Sequence, residues 1–375
     1  MKSPIAGAMA DCLRAALVAV AWLSGITFTA WIAGMCLPDR ELPWFVRQKI
    51  AHLAQHGDEY DVVFLGSSRM QFHIMPSVFD RCMAERGLDL KSFNAGVAAM
   101  TPPEDAYVLD EILRHPHGRL RWIFIELAPL RSVIDLERMG TERTEYWHDW
   151  ERFILVTKRA IQHAGQVRKS PGPGPAGLRQ EQIEAYVRLL TDWAAHVRIF
   201  AAKSVHFGRG AVLAGGVVIP KRKKRIKADD ALGTYGDGWS HSGEARQRMS
   251  GETLAAYEHA HTERLQRRAR KDTEDGVSDE ALEILLAKVR RAGAVPILIV
   301  PPTPVEGHYF PPPDRARELA ILDFSDVNEY PDLFRNENRQ DINHLNAAGA
   351  DVFTRILADR FLEIAQPLKS PHPPR

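Results

Sequence analysis

Short apolar runs alternate with amphipathic stretches at both ends of the chain. Residues 61–65, 92–97 and 122–127 are β-rich and apolar, and this predicts buried strands. Between them, 76–86 and 103–114 repeat apolar residues at helical spacing. Pro76 suits a first turn, and Ala106, Val108, Leu109, Ile112 and Leu113 share one side of the second helix. The alternation returns late in the chain. It predicts a helix over 281–291 with Gly293 as its left-handed cap, a strand over 296–300, and a last helix capped by Asn346 and ending near residue 364. Strands alternating with helices predict a three-layer α/β domain with a mainly parallel sheet.

The middle breaks this rhythm. Over about 131–280 the pattern is helical and charged, interrupted by loops, and is expected to be a mostly helical insertion rather than a second enzyme. Within it Ile183, Tyr186, Val187, Leu190, Trp193, Ala194 and Val197 recur at helical spacing and form one apolar face. The basic run from Lys221 to Arg225 reads as a solvated loop or as a contact for anionic lipid headgroups or an acidic glycan. Residues 172–177 spell a dinucleotide-binding glycine pattern. No strand precedes them, however, and their prolines remove the amides that would hold a pyrophosphate, so they read as a linker. The Pro-rich tail, 366–375, is expected to be disordered.

No charge occurs between Ala15 and Cys36. As a helix that run would be about 30 Å long, the thickness of a bilayer core. Lys2 and Arg14 precede it, and this bias favours a cytoplasmic N-terminus. A cleaved signal peptide is the competing reading, but its apolar core is usually shorter and no clean cleavage site follows. The expected organisation is a membrane anchor over 1–40 and an α/β domain over 41–365. The protein would be single-pass in the inner (cytoplasmic) membrane, with its folded part on the periplasmic, extracytoplasmic side.

A chain of 375 residues, 45% hydrophobic, can build one large core or two ordinary ones, and its net charge of +1 gives no electrostatic case for nucleic acid. Of three cysteines, Cys12 and Cys36 flank the apolar run and leave Cys82 alone, so no disulfide framework is available.

Two short blocks carry candidate chemistry. Gly66-Ser67-Ser68-Arg69 follows the first strand, and Asp341 and His344 stand three residues apart before the last helix. An alcohol near neutral pH needs a base at hydrogen-bond distance and a third group to fix the base's tautomer. Gly66 is expected to let the chain turn sharply, placing Ser67 and Ser68 at the sheet's C-terminal edge, where open α/β sheets bind ligands. Arg69 reads either as a ligand for an anionic substrate or acyl carbonyl, or as a structural ion-pair member. His73 reads either as a lining of the cleft or, preferred, as a half-buried surface histidine. His115 with His117, and His259 with His261, lack companion ligands at a diagnostic spacing, so no metal and no cofactor is expected.

Together these blocks resemble the SGNH/GDSL hydrolase superfamily, over roughly 58–130 and 281–365. The resemblance implies Ser68 as nucleophile, His344 as base and Asp341 as its orienter. It implies the backbone N–H groups of Ser68 and Gly96 as oxyanion donors, the latter within Asn94-Ala95-Gly96-Val97. One departure stands out: after the third strand, where the family supplies an asparagine, this chain has Glu126-Leu127-Ala128-Pro129. Asn94 or another amide is the candidate substitute, and Asn94, with Arg69, is a candidate substrate-binding residue. The chain also resembles membrane-anchored envelope members such as the alginate acetylation proteins and the D-alanyl transfer protein of teichoic acids. That resemblance implies acyl transfer through Ser68 to an envelope polysaccharide or other hydroxyl acceptor, with a multi-spanning membrane O-acyltransferase as donor partner. The second reading is a catalytically weak SGNH-like component that binds glycan or scaffolds an export complex.

Overall fold

The computed structural model describes residues 42–100, 102–130, 142–169, 180–204, 229–240, 249–266, 276–304 and 309–365, with scattered positions between 14 and 28. The numbered elements are α1 (Trp44–His56), β1 (Val62–Leu65), α2 (Ser68–His73), α3 (Pro76–Glu85), β2 (Ser92–Asn94), α4 (Glu104–Leu113) and β3 (Trp122–Glu126). They continue with α5 (Trp150–Lys169), α6 (Gln180–Ser204), α7 (Gly251–Gln266), α8 (Gly276–Arg291), β4 (Val295–Val300), β5 (Ile321–Asp323) and α9 (Ala347–Ala365).

The five strands form one all-parallel sheet in the order β2-β1-β3-β4-β5. Side chains alternate between its faces. Val62 and Phe64, Trp122 and Phe124, and Ile297 and Ile299 point one way and pack with Phe79 and Met83 of α3 and with Phe353, Leu357 and Phe361 of α9. The Phe361 ring meets Trp122 and Phe124, each at 5.3 Å between centroids. Val63, Leu65, Ile123, Ile125 and Leu298 point the other way and are equally buried. On that side α8 lies on β4, and α4 packs against α1 and α8. Strands buried on both faces explain why their sequences read as apolar runs rather than as alternation.

Several expected boundaries move. The second strand stops at Asn94, although Ala95 and Val97 still donate to the Phe64 and Gly66 carbonyls, both at 2.8 Å. The helix expected over 281–291 begins at Gly276. Gly293 is left-handed (φ 80°), as expected of a cap. Asn346 accepts the Gly349 amide at 3.0 Å and so caps α9.

Residues 142–154 and 180–204 group as a separate compact unit. Inside it Trp147 stacks on His148 at 3.8 Å, His148 hydrogen-bonds His196 at 2.9 Å, and Phe153 stacks on Phe200 at 4.5 Å. The apolar face expected on this stretch lies on α6, and its Ile183, Val187, Leu190 and Trp193 are exposed. No helix among the described residues is long and apolar enough to cross a membrane. The uncharged run over 15–36 lies largely outside them. Residues 172–177, the basic run and the tail lie wholly outside them.

Candidate active site

The strand order reverses direction at β1: the chain leaves it for β2 on one side and returns on the other as β3. A crevice beyond the C-terminal ends of the strands at such a switch point is where parallel α/β sheets take ligands. Ser68 opens α2 there, directly after β1. Ser67 is the helix N-cap, its hydroxyl accepting the Arg69 amide at 3.2 Å, and its carbonyl takes the amides of Met70 and Gln71. The Ser67 hydroxyl is therefore engaged in capping, which leaves the Ser68 hydroxyl for other partners.

Ser68 Oγ lies 2.7 Å from His344 Nε2. His344 Nδ1 lies 2.8 and 3.0 Å from the two carboxylate oxygens of Asp341. Asp341 Oδ1 also accepts the amides of Asn343 (2.7 Å) and His344 (2.9 Å), so the carboxylate that orients the ring also shapes the loop carrying it. Burial pushes the Asp341 carboxyl up, but the hydrogen bond and charge of His344 and the two amides outweigh it and leave it below its ordinary value. All three side chains are partly exposed and reachable from solvent.

A fully buried arginine braces this loop. Arg339 donates to the carbonyls of Pro302 (3.1 Å), Leu333 (3.2 Å) and Ile342 (2.8 Å), and it bridges to Leu345 across the loop. Burial pulls its pKa down to about 10 against the raising influence of Tyr257 and Asp341. Two residues before Asp341, it has no sequence signal that marks it as buried.

His73 corrects an expectation. It is 0% exposed rather than half-buried, and Nε2 accepts the Leu345 amide at 3.0 Å, which assigns the proton to Nδ1. Burial first, then the nearby charges of His344, Arg339 and Arg69, hold it neutral with a pKa well below the usual imidazole value.

The expected oxyanion donors divide. The Ser68 amide has no hydrogen-bond acceptor among the described residues, as befits the first residue of a helix. The Gly96 amide is engaged, donating to Asn94 Oδ1 at 2.9 Å. Asn94 is itself fully buried and donates to the Met70 and Ile74 carbonyls, each at 2.8 Å, so its side chain ties α2 to β2 rather than facing a substrate. Gly96 is required for packing: a Cβ there would come within 2.6 Å of the Gln71 backbone nitrogen.

Glu126, at the end of β3, contacts the turn that carries Ser67 and Ser68. It is 4% exposed; Oε2 accepts the Ser67 amide at 2.6 Å, and Oε1 lies 2.6 Å from the Arg69 guanidinium. The second contact is an ion pair without hydrogen-bond alignment. Gly66 matters for this approach, since a Cβ would fall 2.6 Å from Glu126 Cβ and clash with Met70. Glu126 also lines an apolar pocket with Ala106, Ile125, Leu127, Leu282 and Leu285.

Lys49 of α1, also absent from the sequence reading, is buried with Nζ on three carbonyls: Asn94 (2.8 Å), Gly96 (2.7 Å) and Gly238 (2.8 Å). Burial pulls its pKa down to about 7, opposed by Asp237. Residues 237–240 run along α2: Trp239 Nε1 donates to the Phe72 carbonyl at 2.9 Å, and Gln71 Nε2 to Ser240 Oγ at 2.6 Å. The Phe72 ring in turn meets His344 edge-on at 5.4 Å. Among the described residues no three His, Cys, Asp or Glu side chains group so as to hold a metal ion.

The chain matches no protein-family model and no curated protein. Its class rests on geometry: a parallel α/β protein with a hydrogen-bonded serine, histidine and aspartate at the switch point of the sheet.

Proposed function

We propose that this chain is an SGNH-type serine acyltransferase or esterase, anchored by its N-terminal segment in the cytoplasmic membrane and facing the envelope. The observation that carries this reading is the unbroken hydrogen-bonded line from Ser68 Oγ through His344 to Asp341. In the first half-reaction Ser68 Oγ attacks the carbonyl carbon of an acyl donor while His344 Nε2 takes its proton. The tetrahedral intermediate collapses, the donor's leaving group departs with that proton, and the acyl group stays on Ser68. In the second half a hydroxyl of an envelope polysaccharide, or water, gives its proton to His344 and takes the acyl group, and His344 Nε2 returns that proton to the departing Ser68 Oγ. Asp341 accepts from His344 Nδ1–H throughout and favours the imidazolium. The donor partner is a multi-spanning membrane acyltransferase.

Incubating the full chain in detergent with an activated acetyl ester, followed by intact-mass measurement, tests this. The expected result is a single acetyl adduct on wild type and none on Ser68→Ala, while Ser67→Ala retains it. An adduct that survives Ser68→Ala would refute the nucleophile assignment. The second reading, a catalytically weak glycan-binding or scaffolding component, is favoured by one observation, the engaged Gly96 amide beside a third block without asparagine. Glycan binding by wild type with no adduct from any ester would establish it instead.

A further inference from the structure

A serine acyl transfer needs positive charge or N–H donors where the carbonyl oxygen becomes an anion, and that arrangement is often the largest single contribution to rate. At this site the supply is short. The Ser68 amide is open, the Gly96 amide is bound to Asn94, and the end of β3 offers the carboxylate of Glu126. An unpaired carboxylate there would repel a developing oxyanion.

Arg69 offsets that charge. Its guanidinium lies on Glu126 Oε1 at 2.6 Å, and the same carboxylate holds the Ser67 amide through its other oxygen. The cation is thus fixed to the turn that carries the nucleophile. A guanidinium has five N–H donors in a rigid fork, and its contact with Glu126 Oε1 is an ion pair without hydrogen-bond alignment. No other side-chain acceptor for it occurs among the described residues. Its side chain is 22% exposed, open enough to meet substrate yet sheltered enough for its charge to act more strongly than in water.

We infer that Arg69, held at the end of β3 by Glu126, is a catalytic residue that stabilises the oxyanion together with the Ser68 amide and stands in for the absent asparagine donor. Glu126 is its positioning residue. The inference rests on the acyl-enzyme reading above and assigns a further part of the same site.

The test uses the full chain and two probes with one leaving group, p-nitrophenyl acetate (neutral) and mono-p-nitrophenyl succinate (anionic). Removing Arg69 alone would strand a buried carboxylate and endanger folding. The informative comparison is therefore Arg69→Met/Glu126→Gln against wild type, with Glu126→Gln alone falling between them because it only loosens the cation, and with melting curves to show that both variants fold. The expected result is a fall in the rate constant of Ser68 acylation of about 10²–10³ for both probes, with KM little changed. Arg69→Lys, a point charge without the fork, should recover only part of the rate. A loss confined to the KM of the succinate would overturn the inference in favour of an anion subsite. Unchanged kinetics with both probes would reduce Arg69 to a structural ion pair. No adduct on wild type from either probe would refute the acyl-enzyme reading itself, and the inference with it.

Discussion

Asp341 uses one carboxylate for two tasks, accepting from the His344 ring and from the backbone amides of Asn343 and His344. The substitution Asp341→Asn separates them. An amide oxygen can keep the backbone bonds, but it carries no charge, and its NH2 group facing Nδ1 favours the wrong imidazole tautomer. Ser68 acylation is expected to fall by about 10³–10⁴ with little change in melting temperature, measured by adduct kinetics and thermal unfolding. A rate within a few-fold of wild type would show that the loop, rather than the carboxylate, orients the ring. At this scale the convergence of Ser68, His344 and Asp341 was legible, because the two blocks that carry them are short and local. Glu126 and Arg339 were not. Each is a charged residue whose role depends on burial against partners distant in sequence, and residue type alone does not reveal that.

The junction of β1 and α2 depends on a glycine for a reason the sequence reading did not give. The chain does pass from strand to helix within two residues there, as the sequence predicts, but the φ of Gly66 is not in the left-handed region. What it supplies is room for Glu126. Gly66→Ala should therefore destabilise by about 1–3 kcal/mol through overpacking and, by displacing Glu126, also slow acylation. Denaturant unfolding and adduct kinetics on the same preparation would show whether both fall together. The strongly apolar strands β1, β3 and β4 were legible, as were the helices with clean apolar stripes. β5 was missed because it has only three residues, two of them half-buried. α1 was missed because its inward stripe of Val46, Lys49, Ile50 and Leu53 contains a lysine, which interrupts the apolar period that marks a buried face.

The sheet unit as a whole carries a buried neutral histidine, and this sets how it responds to acid. In the unfolded chain His73 binds a proton as pH falls below about 6.5; in the folded one it stays neutral. The unfolded state then binds more protons, so the contribution is fully present above about pH 6.5 and is lost as pH falls further. The loss is up to about 1.4 kcal/mol per pH unit for this group. His73→Gln can keep an acceptor for the Leu345 amide without titrating. Urea unfolding between about pH 7 and pH 5 should therefore show a shallower acid limb for the variant; parallel limbs would mean that other groups set the slope. The second unit holds His148, whose pKa burial lowers to about 3, with His196 as the next contributor, so it should weaken in the same direction.

Lys49 has a different consequence. Three carbonyls from two segments remote from α1 converge on its ammonium, much as carbonyls converge on a bound alkali cation. An ion in that place would have a dissociation constant, would exchange with the medium, and would leave when the salt composition changed. A cation on a covalent stalk does none of these. The join between α1, the turn after β2 and residues 237–240 is thereby independent of which salts surround the protein, and what dilution would remove from an ion site can here only be titrated.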